Sequence, residues 1–164
     1  GSITVQVTAT DAAGIAVNDS FAIAVANTND APTAVSLSSI GVPEKIDGAV
    51  VGTLSTTDVD AGDSHTYILS GTDADSFEVV DGQLKLKSSV SANYETQNSY
   101  SVTVTATDSG GLSTSESFTI TVTDINDAPT LANAIADQSV NEDSAFSFVV
   151  PSNTFNDEDG DTLT

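Results

Sequence analysis

Residues 118–130 read FTITVTDINDAPT, and residues 21–33 read FAIAVANTNDAPT. In both stretches, the alternation of apolar and polar residues that is typical of a β-strand leads into a polar linker ending in Ala-Pro-Thr. The linker aspartates Asp30 and Asp127 are 97 residues apart, and the same interval relates Asp11 to Asp108 without a gap. The chain therefore contains a tandem repeat with a period of 97 residues.

The sequence between the two linkers has the period of two that is typical of half-buried strands, and no sustained period of 3.6. The residues predicted to share strand faces are Val50, Gly52, Leu54 and Thr56; Tyr67 and Leu69; Phe77 and Val79; Leu84 and Leu86; Tyr100, Val102, Val104 and Ala106; and Phe118, Ile120 and Val122. The dipeptide Asp81-Gly82 predicts a two-residue hairpin turn, because both positions tolerate positive φ. With an edge strand near residues 34–40, the pattern predicts an all-β fold, a seven-stranded Greek-key sandwich of the immunoglobulin-like kind.

The repeat divides the chain into one whole unit and two partial ones. Residues 34–130 form the predicted complete repeat. Residues 1–33 match the last two strands and linker of a preceding repeat, and residues 131–164 match the first strands of a following one. Because an isolated two-stranded ribbon is marginal in water, we expect these ends to be poorly packed or paired head-to-tail with another copy of the chain.

The formal net charge is −21, from 24 acidic residues and three lysines, with no arginine. Such a surface disfavours nucleic acid and anionic membranes as partners. The charge fits either adaptation to salty water or specific divalent cation sites, and acidity alone does not separate the two. No cysteine is present to form a disulfide or a thiolate metal site. No basic-then-apolar leader and no run of about 18 apolar residues occurs, so we expect no signal peptide and no direct membrane insertion.

Carboxylate and amide side chains recur where the predicted sandwich has its two poles. One set is expected at the C-terminal pole: Glu44, Asn93, Glu95, Asp124, Asn126 and Asp127. The other is expected at the opposite pole: Asp58, Asp60, Asp63 and Asp108. Clusters of oxygen ligands from several chain segments suit Ca²⁺, a hard cation that takes about 6 to 8 oxygens. The junctions between repeats are therefore the candidate functional sites.

Five motifs in order resemble the pattern of cadherin-type repeats. They are Pro43-Glu44-Lys45, Asp58-Val59-Asp60, Asn93-Tyr94-Glu95, Ala106-Thr107-Asp108 and Asp124-Ile125-Asn126-Asp127-Ala128-Pro129. This resemblance covers the whole central unit. The flanks look like the dystroglycan-type cadherin-like repeats of large bacterial surface and adhesion proteins, on Asn141-Glu142-Asp143 and residues 156–164.

The resemblance implies Ca²⁺ at the two junctions between repeats. The C-terminal junction would join Glu44, Asn93, Glu95, Asp124, Asn126 and Asp127 to Asp157 and Asp159 of the next repeat. The N-terminal junction would join Asp11, Asn29 and Asp30 to Asp58, Asp60 and Asp108. Departures from the family pattern are Lys45 for an asparagine, Asn93 and Asn27 for aspartates, and Ala128 for the second linker asparagine. Fewer carboxylates should weaken binding, and we expect two or three ions per junction.

Competing interpretations exist for individual residues. A single aspartate or asparagine more often caps a turn than binds metal, and this interpretation is preferred for Asp63. An enzyme is not expected, because His65 is the only histidine and no nucleophile motif accompanies it. The chain also has no tryptophan and three tyrosines, so few side chains could stack on a sugar.

These observations predict a calcium-binding module of a long extracellular protein, secreted or at the cell surface and bacterial in origin. Ca²⁺ between neighbouring repeats would make the array rigid for cell adhesion or extension. The alternative function is calcium-dependent binding of polysaccharide or recognition of a partner cell. A third possibility is a sandwich spacer of a salt-adapted organism, without a specific metal.

Overall fold

Twelve β-strands and one three-residue 3₁₀ turn form the regular structure of the chain in a computed structural model that describes all residues, 1–164. The strands are β1 (Ser2–Thr10), β2 (Ala16–Ala24), β3 (Ala34–Leu37), β4 (Gly41–Pro43), β5 (Val50–Thr57), β6 (Thr66–Ser70), β7 (Phe77–Val80), β8 (Gln83–Leu86), β9 (Ser99–Thr107), β10 (Ser113–Thr123), β11 (Thr130–Leu131) and β12 (Phe155–Asn156). The 3₁₀ turn spans Ala74–Ser76. None of the helical structure has the length and apolar character needed to cross a bilayer.

Strands β3 to β10 form two four-stranded sheets, with orders β3-β5-β8-β7 and β4-β10-β9-β6. The first strand of the sandwich is split between them: β3 pairs antiparallel with β5, and β4 pairs parallel with β10. The parallel pair is held by bonds such as Thr121 N–H to the Ile40 carbonyl at 2.8 Å. Counting β3 and β4 as one strand, the sandwich has seven strands, which confirms the predicted fold class.

The core lies between the two sheets and contains fifteen buried apolar residues. Leu84 and Leu86 enter it from one sheet, and Val102 and Val104 from the other, all fully buried. Burying a side chain of this size contributes roughly 1.5–3 kcal/mol each. Alternate residues of β9 face outwards and are more exposed. The alternation of apolar and polar residues in the sequence therefore matches the alternation of buried and exposed residues in this strand.

The predicted hairpin is confirmed. Asp81 and Gly82 have φ of 51° and 74°, and Val80 pairs with Gln83 across the two-residue turn between β7 and β8. One predicted strand face is partly wrong, because the β5–β8 register shifts between Val50 and Gly52. This β-bulge places an extra residue in β5. Val51 is therefore buried at 4% exposure, whereas Val50 is 47% exposed.

The flanks add no strand to the sandwich. β1 and β2 pair only with each other, and apolar residues such as Ile3 and Phe21 remain more than half exposed, at 57% and 53%. β11 and β12 are two residues long and also pair only with each other. Phe146 and Phe148 lie outside any strand and are exposed. Unpartnered strands of this kind are marginal in water, and the predicted repeat boundaries stay predictions.

Candidate metal centres at the two poles of the sandwich

Glu44 is the buried anchor of the C-terminal junction. It directly follows β4, and its side chain is fully buried. Its carboxylate accepts a hydrogen bond from Tyr94 N–H at 2.8 Å and another from Ile125 N–H at 2.7 Å. These two bonds, the one from Tyr94 first, lower the pKa of Glu44 and keep it charged. Glu44 therefore ties the first strand to the loop before β9 and to the linker after β10.

Four further carboxylates surround Glu44 in two overlapping groups. Oxygens of Glu44, Glu95 and Asp124 lie within 4.8 Å of one another, as do oxygens of Glu95, Asp127 and Asp159. The pKa of Asp124 is raised by burial and then by the negative charges of Asp159 and Glu44. A hydrogen bond from its own backbone N–H is the largest effect on Glu95 and lowers its pKa, but burial and its anionic neighbours outweigh that bond and leave the pKa raised. The cluster thus holds more negative charge than its own surroundings neutralise.

The linker is held against the segment that follows it. Asp127 N–H donates to the Asp159 carboxylate, across 32 residues of chain. Asp159 N–H donates in turn to Asp157 Oδ1 at 3.1 Å. Asp159 Oδ1 is buried and has no hydrogen-bond partner. Asp127 Oδ2 likewise accepts no well-directed hydrogen bond, although Lys45 Nζ lies 2.5 Å from it.

The N-terminal junction gathers Asp58, Asp63 and Asp108, whose oxygens also lie within 4.8 Å of one another. Burial, the largest effect, acts to raise the pKa of Asp108. Hydrogen bonds from Asn29 Nδ2 at 3.0 Å and Leu112 N–H at 2.8 Å help to outweigh it, so the pKa of Asp108 is lowered. The pKa of Asp58 is lowered by the hydrogen bond from Asp60 N–H at 2.9 Å and by contact with His65.

The two junctions share three contacts. First, the linker asparagine amide donates to the carbonyl of the next residue: Asn29 to Asp30, and Asn126 to Asp127. Second, the N–H of the linker aspartate donates to a carboxylate of the following acidic turn, from Asp30 to Asp60 and from Asp127 to Asp159. Third, the N–H of that acidic residue donates to the aspartate two positions before it, from Asp60 to Asp58 and from Asp159 to Asp157. Two separate stretches of chain thus adopt one local structure.

The structure does not bring Asp11 to the N-terminal junction, which corrects that part of the expected ligand set. Asp11 lies in the β1–β2 turn, where its Oδ1 accepts from Ala13 and Ile15 N–H at 2.9 Å. The nine residues of β2 separate this turn from the linker, a length of about 30 Å in a strand. Asp11 is the equivalent of Asp108 in the preceding repeat. It therefore lies at the end of that repeat that is far from the linker.

The expected amide ligands use their side chains for hydrogen bonds at the edge of the carboxylate cluster, and one of these bonds, from Asn93 to Glu158, spans the junction. Asn93 Oδ1 accepts from Thr96 N–H at 2.6 Å, and its Nδ2 donates to Glu158 Oε1 at 2.8 Å. Asn126 donates to the Asp127 carbonyl at 2.7 Å. Asp157 accepts from its own turn. These residues border the carboxylate cluster and shape its loops.

The sequence does not predict the roles of two residues at the junctions. Asp63 is expected at the N-terminal pole as a turn residue, yet it faces Asp108, and its buried Oδ2 has no hydrogen-bond partner. Its signal in the sequence was its position three residues after Asp60, in a loop that already carried two aspartates. Lys45 was noted only as a departure, yet its ammonium group contacts both Glu44 and Asp127.

The ligand atoms at both junctions fit a hard divalent cation. They are carboxylate oxygens supplied by separate chain segments, which is the kind of ligand set that Ca²⁺ takes. At each junction a buried carboxylate oxygen has no donor, Asp159 Oδ1 at one and Asp63 Oδ2 at the other. A buried anionic oxygen without a partner is costly, and a bound cation would remove that cost.

Comparison with known families identifies the family to which this chain belongs. The family model for the cadherin domain matches residues 38–123, more than half of the chain. This chain belongs to the cadherin family. Cadherin-related family member 2 of Mus musculus is 34% identical over 111 residues, which cover 59% of this chain and 8% of that protein. Protocadherin-20 of Homo sapiens is 39% identical over 94 residues, which cover 55% of this chain and 10% of that protein. The cadherin chain thus spans about a tenth or less of these relatives.

Solved cadherin structures have the same fold. Protocadherin Gamma B2 extracellular cadherin domains 3–6 superpose with a TM-score of 0.58 at 26% identity, covering 79% of this chain and 33% of that one. The protocadherin gammaB7 EC3–6 structure gives a TM-score of 0.56 at 28% identity, covering 78% and 33%. The chain is therefore a cadherin-like extracellular domain of an adhesion family, which is not an enzyme family, and calcium binding is typical of that family. These relatives are animal proteins and give no support to the expected bacterial origin or dystroglycan-type flanks.

Proposed function

We propose that this cadherin domain binds Ca²⁺ at both junctions, and that the ions make consecutive repeats of an extracellular adhesive array rigid. The observation that carries this proposal is the shared set of contacts that joins each linker to the acidic turn after it. A local structure formed twice from separate stretches of chain reflects a common role.

At the C-terminal junction the ligands are assigned to the clustered carboxylates Glu44, Glu95, Asp124, Asp127 and Asp159. At the N-terminal junction they are assigned to Asp58, Asp60, Asp63 and Asp108, with Asn29 and Asp30 supplying linker oxygens. Bound Ca²⁺ supplies the positive charge that these clusters lack. Because each set draws ligands from two sides of a linker, binding favours one arrangement of the linker over many.

The link between Ca²⁺ binding and the rigidity of the linker follows from mass action. A ligand that binds one arrangement and not the others stabilises that arrangement in proportion to the logarithm of its concentration. Without metal, the carboxylates of this cluster repel one another: after burial, the charges of Glu44, Asp159 and Asp124 raise the pKa of Glu95, and those of Asp159 and Glu44 raise the pKa of Asp124. Linker order would therefore track the calcium concentration outside the cell.

We assign the neighbouring repeats as direct partners, with boundaries at residues 1–33, 34–130 and 131–164. The solved gammaB7 structure is described as a cis-dimer, which supports lateral contact between chains as a further mode of assembly. The half-exposed apolar residues of β1 and β2 support head-to-tail pairing with a second copy. Sedimentation of the chain with Ca²⁺ and with chelator measures both modes.

The proposal is tested by calorimetric Ca²⁺ titration of the chain and of Asp127→Asn, with melting curves in Ca²⁺, Mg²⁺ and chelator. We expect Ca²⁺ to raise the Tm, and Asp127→Asn to weaken binding by about tenfold or more, because a carboxylate ligand is lost. Asp81→Asn is the matched control: it makes the same charge change in the β7–β8 hairpin, at φ of 51°, which asparagine tolerates. Equal stabilisation by Na⁺ at matched ionic strength would contradict the proposal.

A further inference from the structure

Lys45 places a positive charge inside the C-terminal junction. Its Nζ lies 2.5 Å from Asp127 Oδ2 and 3.3 Å from Glu44 Oε1, and it donates to the Ile125 carbonyl at 2.9 Å. The ammonium group thus contacts one oxygen from the end of the first strand and two from the linker. Its side chain is partly exposed, at 36%.

The backbone at Lys45 is fixed in an uncommon conformation. Its φ is 62°, in the left-handed region that is unfavourable for a residue with a Cβ atom. Its N–H donates to the Ala92 carbonyl at 3.0 Å, in the loop before β9. Strained residues of this kind persist where surrounding contacts fix them and are concentrated at functional sites. The surrounding contacts here hold the lysine beside the carboxylates.

The other lysines of the chain lie elsewhere. Lys85 is in β8 and pairs with Glu78 of β7 at 3.5 Å, and Lys87 follows β8. At the N-terminal junction, the only salt-bridge partner of the clustered aspartates is His65, 3.0 Å from Asp58. The two junctions therefore share their linker contacts but differ in charge, because one contains a tethered ammonium group.

Two of the oxygens that the ammonium group contacts belong to residues assigned to Ca²⁺. A divalent ion bound to Glu44 Oε1 and Asp127 Oδ2 would compete with Lys45 Nζ for these oxygens, because two cations held by the same oxygens lie close together and repel. We propose that Lys45 is a tethered counter-cation, which holds the linker to Glu44 when Ca²⁺ is scarce and must leave these oxygens when Ca²⁺ binds. This inference rests on the proposed function.

The consequence is a difference between the junctions. At the C-terminal junction, Ca²⁺ has to displace an existing ion pair, so its affinity is lower and the metal-free linker is more ordered. At the N-terminal junction, no ammonium group competes for Asp58, Asp63 or Asp108. The two junctions would then fill in sequence as calcium rises, the N-terminal one first.

The first test is calorimetric Ca²⁺ titration of the whole chain and three variants. Lys45→Gln removes the charge, Lys45→Arg keeps it, and Lys85→Gln is the matched control for net charge. We expect Lys45→Gln to tighten the weaker class of sites by roughly three- to tenfold, the range for losing a half-exposed ion pair. Lys45→Arg and Lys85→Gln should bind like the unchanged chain.

The second test uses the metal-free state, which separates this inference from the calcium proposal. Hydrogen–deuterium exchange of residues 124–130 is measured in chelator at low salt. Lys45→Gln should exchange faster there than Lys85→Gln, because the contact between the linker and Glu44 has lost its cation. Exchange in residues 27–33, at the other junction, should be the same in both variants.

The outcomes are distinct. Equal Ca²⁺ affinity in Lys45→Gln and Lys85→Gln, in a chain that binds Ca²⁺, overturns the role of the lysine and leaves the calcium function intact. No Ca²⁺ binding by any variant overturns the proposed function, and the competition with it. Faster exchange at residues 124–130 in chelator supports the tethering role in either case, whereas unchanged exchange overturns it.

Discussion

At the scale of single residues, the junctions depend on close approach as well as on charge. Gly110 lies in the loop between β9 and β10, where the linker residue Asn29 crosses it. A Cβ atom at Gly110 would stand 2.5 Å from Asn29 Cγ and 2.7 Å from Asn29 Oδ1. Glycine at this position is what allows Asn29 to reach Asp108.

We therefore predict that Gly110→Ala displaces Asn29 and weakens Ca²⁺ binding at the N-terminal junction by a few-fold, with little change in Tm. The loop itself should accept alanine, because Ala13 occupies the equivalent position in the β1–β2 turn. That turn and the Asp108 loop have matching bonds, from Ile15 and Leu112 N–H to the aspartate before them. Calcium titration and hydrogen exchange of residues 27–33 measure the effect.

Gly41→Ala is the control for that variant, since its added Cβ meets nothing closer than Thr121 Oγ1 at 3.8 Å. A Gly110→Ala chain that binds Ca²⁺ as the control does would show that the Asn29 contact is incidental to the site.

At the scale of elements, the strands were predictable and their irregularities were not. Alternation in β9 and the Asp81-Gly82 turn determine their structure locally, so each could be predicted from a few neighbouring residues. The β5 bulge could not, because Val50 and Val51 are both apolar and only pairing with β8 decides which faces inwards. Asp63 and Lys45 depend in the same way on residues far away in sequence.

The bulge leads to a prediction that uses adjacent positions. Val51→Thr puts a hydroxyl group at a site that is 4% exposed, and we expect it to lower the free energy of unfolding by about 1–3 kcal/mol. Val50→Thr, at a site that is 47% exposed, should change it by about 0.5 kcal/mol or less. Urea denaturation measures both, and equal costs would contradict the assigned register.

At the scale of the whole molecule, the carboxylates of the junctions form two groups, which differ in the direction of their pKa shift. Glu44, Asp58 and Asp108 have lowered pKa values because hydrogen bonds hold their charged forms. Glu95 and Asp124 have raised pKa values, because burial and then the neighbouring negative charges oppose their charged forms. The first group supports the metal-free fold, and the second opposes it once ionised.

The two groups predict opposite pH dependences. Stability from Glu44, Asp58 and Asp108 is present above their ordinary pKa values, 4.5 and 3.8, and is lost as the pH falls through their lowered folded values. The stability that Glu95 and Asp124 contribute is fully present below their ordinary pKa values, 4.5 and 3.8. It is lost as the pH rises through their raised pKa values in the folded state. Above these raised pKa values both carboxylates are charged, so bound Ca²⁺ relieves the most repulsion there.

The rise in Tm on adding Ca²⁺ should therefore grow as the pH is raised from about 4 towards 7. Differential scanning calorimetry in Ca²⁺ and in chelator across this range measures it. Glu95→Gln should flatten the dependence, while Glu78→Gln, in the β7–β8 ion pair away from the junctions, should leave it unchanged. A calcium effect independent of pH would contradict the crowding of charge at the C-terminal junction.

The split first strand has a mechanical consequence. The first strand, β3 and β4, follows one linker, β10 leads into the other, and β4 runs parallel to β10. Tension along an array would therefore pull β4 and β10 in opposite directions. Their hydrogen bonds, from Thr121 to Ile40 and from Glu44 to Thr123, would then be loaded in shear and would have to break together instead of unzipping one by one. A domain of this build resists being pulled apart at its ends far better than a hairpin peeled from its open edge.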